Sequence, residues 1–68
     1  MNEDNLNMEI RRFLKKVGIT SQRIIEKEIQ KGYQAGLIKL NDEIDLQMNL
    51  EIKTLSQKNI ISGKIKID

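Results

Sequence analysis

The sequence predicts a small α+β domain, in which two N-terminal helices joined at a tight corner pack on a C-terminal antiparallel β-hairpin, in the order ααββ. Apolar residues recur at every third or fourth position as far as about residue 35. Gly18 interrupts that run, and after residue 40 the apolar period changes to two. Because 68 residues can enclose only one small core, we expect a single domain over 1–68.

The first helix is predicted over about 5–17. Asn5 is the expected N-cap, since its side chain can accept a hydrogen bond from a free N–H group of the first turn. Acidic residues precede this segment and lysines end it, which suits the helix dipole. Its apolar stripe is formed by Leu6, Ile10, Phe13, Leu14 and Val17.

Gly18 predicts the corner, and the second helix is expected over about 21–35. Gly18 can adopt the left-handed conformation that ends a helix, and Thr20 or Ser21 can cap the next one. This is the geometry of a helix-turn-helix corner. Gly36 is the expected C-terminal stop of the second helix.

Strict alternation predicts two strands, over about 44–53 and 59–67. In the first, the apolar residues Ile44 to Ile52 alternate with Asp45, Gln47, Asn49 and other polar residues. A short linking segment at about 54–58 makes an antiparallel hairpin the simplest connection. An isolated hairpin is barely stable in water, so we expect the helices to cover its apolar face.

Composition argues against an enzyme. The chain has no cysteine and no histidine, so thiol catalysis, disulfides and the commonest general base and metal ligand are absent. Asp42, Glu43 and Asp45 cluster at a strand entry, but a polar turn explains them better than a metal site. We therefore expect no catalytic activity, no cofactor and no metal.

The location expected from the sequence is the cytoplasm. No apolar run approaches the roughly 20 residues that span a bilayer. The first residues are polar and acidic, unlike the basic start of a signal peptide.

A basic surface at the corner is the predicted interaction site, and a protein is the favoured partner. The alternative is a small DNA- or RNA-binding protein of helix-turn-helix type, in which Ser21, Gln22 and Arg23 would face base edges. Leu14 is large for the close helix crossing of that motif, and Glu26 and Glu28 would face phosphates badly. The predicted surface consists of Arg11, Arg12, Lys15, Lys16, Ser21, Gln22, Arg23 and Lys27.

A homodimer is also expected. A two-stranded sheet has two open edges, and edge-to-edge pairing of two copies would give a four-stranded sheet with two-fold symmetry. The competing expectation is a monomer whose sheet edge is covered by Leu37–Leu40 or by the N-terminal tail.

The segment from Asn5 to Glu26 resembles a family of short uncharacterised bacterial proteins, mainly alphaproteobacterial, that form a domain of unknown function. The resemblance rests on Asn5-Leu6-Asn7-Met8, Phe13-Leu14-Lys15 and Val17-Gly18-Ile19-Thr20-Ser21-Gln22-Arg23. Near the C-terminus, Ser62-Gly63-Lys64-Ile65 follows the family pattern with Lys64 in place of an acidic residue. The resemblance implies a shared length and fold but supplies no catalytic or binding residues.

Overall fold

The computed structural model describes residues 1–68 as one helix followed by a β-hairpin. Helix α1 runs over Glu3–Gln34, strand β1 over Glu43–Ile52 and strand β2 over Gln57–Lys66, with a single 3-10 turn at Lys53–Leu55 between the strands. The chain divides into two compact units, Met1–Leu37 and Ile38–Asp68. The α+β class and the hairpin are therefore confirmed, and each unit is described below by itself.

The prediction of two helices with a corner at Gly18 is wrong. Gly18 lies inside α1, and its φ is not in the left-handed region, which among the glycines is adopted by Gly36. A helical glycine weakens a helix by only about 1 kcal/mol relative to alanine, and no proline is present to break this one. The apolar spacing also stays in phase across Gly18, from Leu14 and Val17 to Ser21 and Ile25, so one continuous helix satisfies the pattern.

The two ends of α1 are capped by specific hydrogen bonds. Asn2 is the N-cap instead of Asn5, and its Oδ1 accepts the Asn5 N–H at 3.0 Å. At the other end Gly36 has a φ of 77°, as expected for the residue that stops the helix. The N–H of Leu37 donates to the Gly32 carbonyl at 2.8 Å and that of Gly36 to the Tyr33 carbonyl at 3.1 Å. These two bonds form a Schellman motif, which satisfies carbonyls that the helix end would leave free.

The hairpin begins with a closed turn at residues 39–42. Asp42 donates its N–H to the Lys39 carbonyl at 3.1 Å, and its Oδ2 accepts the Lys39 N–H at 2.9 Å. Asn41 has a φ of 73°, which asparagine tolerates better than most residues. Asn41 and Asp42 then extend the ladder by bonding to both backbone groups of Ile67. The polar residues after Leu40 thus form a turn, as the sequence indicated.

The strands pair antiparallel in a register that runs from Glu43 opposite Lys66 to Ile52 opposite Gln57. Both strands lie within two residues of their predicted bounds. Ser56, with a φ of 52°, ends the tight connection between them. Because directly opposed side chains share a face, the register puts Ile44 with Ile65 and Met48 with Ile61 on one apolar face.

No residue in either unit is buried. The apolar side chains of α1 and of the hairpin are all half-buried or exposed. The predicted covering of the hairpin's apolar face by helix stays a prediction. The 32 residues of α1 exceed the length that a bilayer crossing requires, but α1 is too rich in charged residues, and no helix of this chain could span a membrane.

Candidate interaction surface

The apolar stripe of α1 is the most extensive candidate surface of the N-terminal unit. Its members follow one another at spacings of three or four residues along the helix, so they lie on one side of it. Phe13 is 60% exposed and Leu14 is 50% exposed, although both belong to the predicted core. The stripe consists of Leu6, Ile10, Phe13, Leu14, Val17, Ser21, Ile25 and Ile29.

The eight residues of the predicted interaction site all lie on α1, but they do not form one patch. Four of them fall on one line at spacings of four, seven and four residues, away from the centre of the stripe at Val17 and Ser21. We call this line the cationic face. It extends over about 22 Å, at 1.5 Å per residue. The cationic face consists of Arg12, Lys16, Arg23 and Lys27.

The remaining four predicted residues are divided between two other lines. Arg11, Lys15 and Gln22 form a second line between the cationic face and the stripe. In this line Arg11 and Gln22 lie beside the stripe, three residues before Leu14 and Ile25 respectively, whereas Lys15 has no stripe residue three or four positions away. Ser21 is half-buried and belongs to the stripe itself. Successive helical residues are rotated by about 100°. Ser21, Gln22 and Arg23 therefore point in different directions, and the continuous helix does not gather them into a recognition corner.

Several polar side chains on α1 are already paired within the helix. Arg12 Nη1 lies 3.3 Å from Glu9 Oε1, and Gln22 Nε2 donates to Glu26 Oε1 at 2.9 Å. Both pairs are exposed, so each stabilises the helix by only a few tenths of a kcal/mol. Five cations have no ion-pair partner within 4.0 Å and are available to a partner molecule: Arg11, Lys15, Lys16, Arg23 and Lys27.

The hairpin separates apolar and charged side chains onto its two faces. On the charged face, Lys64 Nζ lies 3.9 Å from both Glu43 and Asp45, and Lys58 Nζ lies 4.0 Å from Glu51. These pairs neutralise the face that the sequence marks as solvent-facing. The acidic residues at the strand entry are therefore occupied by the turn and by Lys64, and no three carboxylates of the chain converge as a metal site would require.

Sequence reasoning missed the second half of the stripe as a surface that a partner could bind. It ended the first apolar stripe at Val17 and began a separate helix at about residue 21, because Gly18 suggested a chain reversal. The signal that could have found the surface is the unbroken spacing Leu14, Val17, Ser21, Ile25. That spacing keeps one side of one long helix mainly apolar, with Ser21 and Glu28 as its polar members, and the chain has no second helix.

Comparisons with known proteins give one assignment. A search of curated proteins and a search of solved structures return no match for this chain. The model of a family described as a family of unknown function, DUF6494, matches residues 1–68. The match confirms the resemblance to a domain of unknown function found in the sequence. Over its full length, the chain belongs to the DUF6494 family of unknown function.

Proposed function

We propose that the chain is a non-enzymatic interaction module that binds a protein along α1. The observation that carries the proposal is a 32-residue helix whose apolar stripe no other element of its own unit covers. An amphipathic helix whose apolar side is free is the form in which helices insert into hydrophobic grooves or pair with other helices. A stripe of this length supplies the buried area that specific protein association requires.

The cations on either side of the stripe supply the second part of the proposed surface. Arg11 lies beside Leu14 on one side of the stripe and Lys16 beside Phe13 on the other, where they would meet the rim of a bound partner. Rim charges change the association rate and the choice of partner more than the affinity. A partner with an apolar centre and acidic edges fits this arrangement.

The nucleic-acid alternative has less support from the structure than from the sequence. The helix-turn-helix corner, which would have held Gln22 and Arg23 against base edges, is replaced by continuous helix. The five unpaired cations still offer a charged surface to phosphates. Glu26 interrupts that surface, and phosphate binding would leave the apolar stripe uncovered. The cytoplasmic location and the lack of catalytic activity stay predictions.

Photocrosslinking in the native host tests the proposal. p-Benzoylphenylalanine in place of Phe13 puts a crosslinker of similar shape on the stripe. The same amino acid in place of Arg23 is the matched control on the cationic face, because no stripe residue lies three or four positions from Arg23. We expect a discrete protein adduct from position 13 and much less from position 23. Absence of a protein adduct at position 13, or nucleic acid captured mainly at position 23, would contradict the proposal.

A further inference from the structure

The apolar stripe of α1 has no cover within its own unit. Helix α1 is the only helix or strand of Met1–Leu37, and none of its residues is buried. A continuous exposed apolar surface of this kind marks an interaction site.

We propose that a second copy of the chain covers it, with the two α1 helices paired antiparallel along their apolar stripes. This inference rests on the proposed function, because it names the protein that binds to α1. A second copy presents the same stripe on a helix of the same length, so two stripes related by two-fold symmetry can cover each other along the whole of α1.

The spacing of the stripe suits pairing along the whole helix. Leu6 and Val17, Ile10 and Ser21, and Leu14 and Ile25 are each separated by 11 residues. An 11-residue repeat corresponds to 3.67 residues per turn, close to the 3.6 of a straight helix. The stripe consequently stays on one side of α1 from Leu6 to Ile29, over about 35 Å, and a second helix can follow it with little supercoiling.

The charges beside the stripe favour the antiparallel orientation of the two α1 helices. When the helices pair antiparallel about residue 20, residues whose numbers sum to about 40 lie opposite each other. Glu9, beside Leu6 and Phe13, then faces Lys31 of the second copy at one edge of the stripe, and two-fold symmetry forms the same pair a second time. The bonds of Glu9 to Arg12 at 3.3 Å and of Lys31 to Glu28 at 3.8 Å are exposed and weak, so these side chains can be redirected.

A parallel pair would bring like charges together. Glu28 lies on the line of the stripe, 11 residues after Val17, and would face Glu28 of the second copy. In the antiparallel pair, Glu28 lies beside Arg11 of the second copy instead. Acidic residues at the helix start, Glu3 and Asp4, are likewise separated from their own copies only in the antiparallel orientation.

Spin labelling of the full chain tests orientation and partner together. The chain has no cysteine, so single cysteines from Thr20→Cys and from Asn7→Cys can each carry one nitroxide label. Antiparallel pairing predicts an interspin distance near the interaxial value of about 10 Å at position 20. At position 7 it predicts about 39 Å, the length of 26 helical residues.

Any other result overturns the inference. Short distances at both positions would mean a parallel pair, and absence of dipolar coupling at both would mean a monomer, including one whose helix covers its own hairpin. A result that excludes the antiparallel pair is distinct from a result that excludes the proposed function. A monomer that still gives a discrete crosslink from position 13 to another protein keeps the interaction module and removes the second copy.

Discussion

The helix unit and the hairpin unit are incomplete in different ways. Every peptide group in the middle of α1 is bonded within the helix, and both helix ends are capped, so within its own unit α1 lacks only cover for its apolar side chains. Within its own unit the hairpin also has no cover for its apolar face, and each of its strands has one edge with unpaired backbone groups. A surface of side chains and an edge of backbone groups bind different partners. Helix α1 selects its partner through the shape and charge of its side chains, whereas strand pairing at the hairpin edges depends on backbone hydrogen bonds and would be less selective for the partner.

The largest expected effect is at the centre of the stripe. Ile25→Asp would put a charge where the second helix packs, and burial of an unpaired charge is among the most destabilising changes known. Removal of the isoleucine alone costs about 2–5 kcal/mol in a packed site. We expect at least a 100-fold loss of self-association, since each 1.4 kcal/mol is tenfold. Sedimentation velocity measures it.

Gln30→Asp is the matched control for Ile25→Asp. It introduces the same residue into α1, on the side opposite the stripe, so it has a similar effect on helix propensity. Self-association should be unchanged within a few-fold. If both variants lose association equally, the effect comes from helix propensity, and the stripe is not the interface.

One substitution made at two glycines should have opposite effects. Gly18→Ala should stabilise α1 by about 1 kcal/mol, because Gly18 is helical and an added Cβ meets nothing within 4 Å. Gly36→Ala should destabilise it by about 1 kcal/mol, because the φ of 77° disfavours a residue with a Cβ. Circular dichroism at 222 nm during thermal unfolding measures both. Destabilisation by Gly18→Ala would support a corner at that position instead of a continuous helix.

The hairpin should depend on its entry turn more than on its charged face. Asp42→Ala removes the acceptor of the Lys39 N–H at 2.9 Å and should cost about 0.5–1.5 kcal/mol. Asp45→Ala removes an exposed pair to Lys64 at 3.9 Å and should cost under about 0.5 kcal/mol. Amide hydrogen exchange at Asn41 and Ile67 reports the difference. Equal effects would show that the turn does not anchor the hairpin.

The smallest expected effect is on nucleic-acid binding. Titration with a short mixed-sequence duplex at low salt should give small amide shifts spread along the cations of α1, and these should disappear as salt rises. Amide shifts that are confined to residues 21–27 and persist at moderate salt would support nucleic-acid binding instead of protein binding.

The hairpin could be predicted from sequence because two independent patterns agree there. The period-two alternation places Ile44, Met48 and Ile61 on one face, and the opposite charges at Glu51 and Lys58 fix the same register. Near Gly18 the local signals conflict with the longer pattern. Glycine followed by threonine and serine is typical of a helix end, and only the spacing on both sides favours continuation.

The division of the predicted basic site follows from that one error. A corner would have gathered Ser21, Gln22 and Arg23 at its tip, whereas a continuous helix separates them by about 100° each. The cations of the cationic face were identified correctly as exposed. Their relation to the stripe could not be predicted until the helix was known to be continuous.

Sedimentation equilibrium of the full chain across micromolar to millimolar concentrations tests the central claim most directly, namely that a second copy covers the apolar stripe of α1. The account predicts a mass that rises from 7.9 kDa toward twice that value, with thermal stability rising in parallel. A mass that stays at 7.9 kDa at the highest concentration, in a chain that still unfolds cooperatively, would contradict it.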